Sequence, residues 1–145
     1  MAYNIFISFD NKDRDLARDL SKRLEKAGLT VMSSASKIDN PRRDIDRIKN
    51  LEKADEVIFL ITDDAIQGRY AFFDLGIAYA MGKRLAPVLV GLRPKDMPDI
   101  LKGLDFIKYD ELESYISRLR RKAGEVAKHS AKAGPKSGER LKSAA

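Results

Sequence analysis

The segment Glu56-Val57-Ile58-Phe59-Leu60-Ile61-Thr62 constrains the fold most. Its five central residues are all apolar, with no polar alternation. A strand with one wet face alternates in hydrophobicity, whereas one covered on both faces does not. The run is short and rich in β-branched and aromatic residues, so it reads as a strand rather than a helix. Covering both its faces calls for helices above and below a parallel sheet.

The flanking pattern supplies them. Tyr3 to Ser8 reads as a first strand. Leu16, Leu20 and Leu24 form a helical stripe that Gly28 ends. Leu29 to Met32 is a second strand, and Ser33 to Asn40 a polar loop. Asn40 with Pro41 opens a second helix, whose inner face is Ile45, Ile48 and Leu51. A third helix is predicted from about Arg69 to Gly82. A fourth strand runs from Arg84 to Val90, with Pro87 interrupting its ladder on one side. Gly91 to Asp105 is read as mostly loop and Phe106 to Tyr109 as a last strand. Asp110, with Glu113 in a capping box, opens a final helix. The expected architecture is α/β, a flavodoxin-like five-stranded parallel sheet of order 2-1-3-4-5 with helices on both faces. Ligands of such sheets bind at the strand C-termini beside the switch point. Here those ends are Ser8-Phe9-Asp10 and Thr62-Asp63-Asp64.

Composition narrows the chemistry. The 145 residues include no cysteine and a single histidine, His129, in a Lys/Ala/Gly/Ser-rich stretch. Thiolate chemistry, disulfides, Ser-His-Asp triads and two-histidine metal sites are excluded. No metal and no bound cofactor are expected. The net charge of +6 belongs to the C-terminal end. From Arg118 onward nine basic residues face two acidic ones, and residues 1–117 carry a net charge of −1. A domain over 1–126 and a basic, disordered tail over 127–145 are expected. The tail lacks interleaved aromatics, which argues against nucleic-acid binding. No apolar run approaches the ~20 residues of a membrane span. The N-terminus has no basic leader before an apolar segment, so a cytoplasmic protein is expected.

Asp74 is the most informative single residue. It is the one charge in Ala71-Phe72-Phe73-Asp74-Leu75-Gly76-Ile77-Ala78-Tyr79-Ala80-Met81. A helix apolar all round is packed on several sides, which threatens Asp74 with burial. A carboxylate in apolar surroundings beside a cleft is a functional candidate. The alternative is a helix-start carboxylate, favoured by the dipole and partly wetted. Phe9 could stack on a base or sit in the core. Asp10 could bind a ribose hydroxyl or cap the first helix. Ser33 and Ser34 could line the cleft. Arg42 and Arg43 could hold a pyrophosphate or form a solvated first turn. No Gly-rich phosphate loop is present. Asp10, Asp63 and Lys108 also lie near the places a phosphoacceptor receiver domain would need them, as a runner-up reading.

Three boxes in order resemble the Toll/interleukin-1 receptor (TIR) domain family, in its bacterial stand-alone form. They are Tyr3-Asn4-Ile5-Phe6-Ile7-Ser8-Phe9, then Leu24 to Val31, then Tyr70 through Asp74-Leu75-Gly76 to Gly82-Lys83 and Pro87-Val88-Leu89. The resemblance spans about residues 1–120. It implies either cleavage of NAD⁺ at the nicotinamide–ribose bond, by hydrolysis or cyclisation, or signalling by homotypic assembly into dimers or larger species. A defence or signalling role is implied with either. The enzymatic members place a Glu four residues after an aromatic, usually Trp. Tyr70 and Asp74 hold those places here, so the resemblance implies Asp74 as the catalytic carboxylate and Tyr70 as a pocket aromatic. The third box also resembles nucleoside deoxyribosyltransferases.

Overall fold

The computed structural model describes residues 3–33, 41–68 and 70–132. Five parallel strands, β1 (Asn4–Ser8), β2 (Thr30–Ser33), β3 (Glu56–Ile61), β4 (Arg84–Leu89) and β5 (Ile107–Lys108), form one sheet in the order 2-1-3-4-5. The helices are α1 (Arg14–Lys26), α2 (Pro41–Lys53), α3 (Asp63–Gln67), α4 (Tyr70–Ala80) and α5 (Leu112–Lys132).

Every residue of β3 is buried, and its side chains divide by parity. Ile58 and Leu60 join Ile5, Ile7, Leu20, Leu24, Leu112 and Leu119 in a core under α1 and α5. Val57, Phe59 and Ile61 join Phe6, Leu51, Leu75 and Ala78 in a core under α2 and α4. The unbroken apolar run is thus two interleaved faces, each with its own helical layer. Gly28 ends α1 at φ +89°, a backbone setting costly for any side chain. Pro87 lies in the edgeward half of the sheet, where β5 pairs only with Val88 and Leu89. Val90 donates its N–H to Ile61 O at 3.0 Å, so alternate residues, Pro87 included, face β5. The missing proline N–H therefore costs the β3 ladder nothing.

Some local expectations are corrected. The short α3 precedes α4, because Thr62 caps it: the Thr62 hydroxyl accepts from Ala65 N at 3.0 Å. The capping box at Asp110 does not form. A 3-10 turn over Tyr109–Glu111 leads into α5, and the Glu113 carboxylate instead pairs with Arg23 on α1. Helix α4 is not covered all round, since Phe73 is 49% and Tyr79 73% exposed. Helix α5 continues to Lys132, and the remainder of the tail, 133–145, lies outside the described residues.

Candidate functional site at the β1–β3 switch point

Strand β1 ends at the switch point, flanked by β2 and β3. Parity sends Ser8 to the same face as Phe6, toward α2 and α4. There the Ser8 hydroxyl donates to Asp74 Oδ2 at 2.7 Å. Asp74 is completely buried, as the apolar sequence around it threatens, and the partly wetted alternative does not hold. Arg47 on α2 brings its guanidinium against the same carboxylate, with Nε 3.7 Å from Oδ1. Both side chains of this pair are almost wholly out of water. A cation, a hydroxyl and a carboxylate from three elements therefore meet beneath the C-terminal end of β1.

The neighbouring residues are stitched separately. Asp10 accepts from Lys12 N at 3.0 Å and caps the 3-10 turn Asn11–Asp13. Its carboxylate also crowds Gly68, where an added Cβ would lie 2.7 Å from Asp10 Oδ2. The Thr62 hydroxyl donates to Asp13 Oδ2 at 2.5 Å, joining the end of β3 to the 3-10 turn that follows β1. Burial raises the Asp13 carboxyl above its ordinary value, against the opposing effect of the Thr62 bond. Lys12 reaches Asp64 at 3.7 Å.

The structure brings Asp74 to the switch point but not Phe9. Phe9 has the parity of Ile5 and Ile7, is 6% exposed, and packs in the α1/α5 core on the other side of the sheet. Its core reading is the one that holds. Ser33 closes β2 and Tyr70 opens α4, while the side chains of both, with Ser34 and those of Arg42 and Arg43, lie outside the described residues. Sequence reasoning missed Arg47. The signal existed: Arg47 lies four residues before Leu51 and seven before Ala54, both buried, so it shares their inward face. Among the described residues no group of three His, Asp or Glu side chains is placed to hold a metal ion.

A second buried carboxylate lies at the opposite end of the sheet. Glu56 accepts from Tyr3 at 2.9 Å, from Tyr115, and from Lys122 at 3.3 Å. Burial first, and the Glu56 charge second, push both phenols well above the ordinary tyrosine range.

Residues 5–121 match the family model described as TIR domain. The chain belongs to the TIR domain family. Among solved structures, the TIR domain of a Toll-related receptor from Hydra magnipapillata is similar at 20% identity. That match has a TM-score of 0.67 and covers 83% of this chain and 98% of that one. A Clostridium botulinum CMP N-glycosidase is similar at 17% identity and TM-score 0.58, over 80% of this chain and 97% of that one. A 2-desoxiribosyltransferase from Leishmania mexicana follows at 15% and 0.60, over 77% and 95%. These likenesses are of fold. No curated protein matches the chain. The family match sets aside the receiver-domain alternative. No helix among the described residues is long and apolar enough to cross a membrane.

Proposed function

We propose that this TIR domain cleaves the nicotinamide–ribose bond of NAD⁺ or a related nucleotide, with Asp74 as the reacting carboxylate. The observation that carries this reading is the complete burial of Asp74 at the switch point, between Ser8 and Arg47. Burying a charged pair costs several kcal/mol per ion (about, after relaxation), and apolar residues of like volume commonly serve a core as well. Ionisable groups held at that cost beside a ligand-binding edge favour a chemical role.

The chemistry suits a single carboxylate. Nicotinamide leaves with the bonding electron pair and becomes neutral, so no general acid is needed. The ribosyl carbon develops positive charge, which the Asp74 anion stabilises. Water then adds to that carbon and loses a proton, giving ADP-ribose; attack by an internal adenine nitrogen gives the cyclic product. Asp74 is sealed in the resting state, so contacts over it rearrange when substrate enters. Asp10, Ser33, Ser34 and Tyr70 are the proposed lining. Two of the similar structures are named an N-glycosidase and a desoxiribosyltransferase, names that agree with this chemistry. Chromatographic analysis of products after incubating concentrated protein with NAD⁺ tests the reading. Nicotinamide with linear or cyclic ADP-ribose is expected, and unchanged NAD⁺ would refute it.

A second reading, signalling by homotypic assembly, is favoured by the two large apolar side chains, Phe73 and Tyr79, that α4 leaves exposed. Concentration-dependent dimers or larger species are expected in sedimentation velocity runs. A strict monomer at all concentrations, with and without nucleotide, counts against it.

A further inference from the structure

We propose that Arg47 is a positioning residue for the Asp74 carboxylate, a role that rests on reading Asp74 as the reacting group. An aspartate has one methylene fewer than the glutamate that enzymatic members of the family place here. It can act only if its short arm is aimed, and an error near 1 Å can cost about 10²-fold in rate. Among the described residues, two groups on separate elements contribute to the aim. Ser8, fixed at the end of β1, holds Oδ2 from the sheet at 2.7 Å. Arg47 holds the Oδ1 side from α2 at 3.7 Å. With the two oxygens addressed from different directions, the carboxylate plane is set by the sheet and by α2 together.

Arg47 is suited to this by chemistry as well as place. Its planar guanidinium presents several N–H groups on one rigid fork, a shape that matches the edge of a carboxylate. At 4% exposure it is screened little by solvent or salt. It does not need to touch substrate, because it acts through Asp74. The pair also ties α2 to α4, and a purely structural tie would serve stability alone. The two roles differ in what they do to turnover per folded molecule.

The test compares Arg47→Gln, Arg47→Lys and Ser8→Ala with wild type and Asp74→Asn, each at matched folded concentration by circular dichroism. Arg47→Gln is expected to lower kcat for nicotinamide release about tenfold or more while KM stays within about threefold. Arg47→Lys, which keeps the charge and loses the fork, is expected to recover part of kcat and to fold where Arg47→Gln does not. Ser8→Ala is expected to lower kcat by several-fold, again with KM retained. In the Asp74→Asn background, Arg47→Lys should cause no further loss, because the group it aims is gone. Wild-type kcat in Arg47→Lys and, where it folds, Arg47→Gln, with Asp74→Asn inactive, overturns the positioning role alone. An inert wild type, or Asp74→Asn as active as wild type, overturns the reading of Asp74 and this role with it.

Discussion

At the scale of single residues, Asp74 is held by what surrounds it rather than by its helix. The sequence made its burial legible, because one acid stands in an otherwise apolar stretch. Its partners were harder to see. Ser8 was visible only as the polar end of a strand, and its meeting with Asp74 depends on strand parity and on where α4 crosses the sheet. Arg47 was hidden among neighbouring charges, Arg42, Arg43, Asp44 and Asp46, that a solvated helix would carry equally well. The packing also changes what substitutions should do. Asp74→Asn keeps the shape but leaves Arg47 facing a neutral amide, so it should cost stability, up to about 3–5 kcal/mol. Asp74→Glu keeps the charge and extends the arm by roughly one C–C bond, about 1.5 Å. It should lower turnover, because it carries the carboxylate past the place where Ser8 and Arg47 hold it, and cost about 1–3 kcal/mol for the added methylene in a filled space. Parallel rate and urea-melt measurements check both parts. A rise in turnover with Glu would mean that reach, and not aim, limits the shorter acid.

At the scale of elements, the helices were readable from their stripes and their ends were not. Gly28 and Leu51 behave as periodicity requires, whereas α3 and the start of α5 depend on competition between local partners. Glu113 had two uses open to it, a backbone cap or Arg23 on α1, and the second wins. The inner half of α5 is held in the same manner by Glu56, through Tyr115 and Lys122. Removing the Tyr115 hydroxyl leaves a buried carboxylate short of a donor, so Tyr115→Phe should destabilise by about 1–3 kcal/mol at neutral pH. The pH dependence has a definite sign. The folded phenol titrates above its ordinary value of 10.0. The unfolded chain therefore loses this proton first, and stability falls as pH rises past that ordinary value. Tyr115→Phe should lose less stability than wild type in this alkaline range. Equal slopes of unfolding free energy against pH for the two proteins would argue against the clasp.

At the scale of the whole molecule, the sheet order followed from one apolar run and the alternation of strands with helices. Both are long-range consequences of having two faces to cover, which is why they survive errors of a few residues at element ends. The switch point followed from that order alone, and Asp74 lies beneath it. What the order could not reveal is that the carboxylate at this edge is sealed and shared among three elements. That sealing is the central fact the function has to use. The direct measurement is the initial rate of nicotinamide release from NAD⁺ by wild type and by Asp74→Asn, at equal concentrations of folded protein. Release by wild type, with loss of about 10²-fold or more in the variant, is the predicted result. Equal rates in the two proteins, or no release from wild type at any concentration, would contradict it.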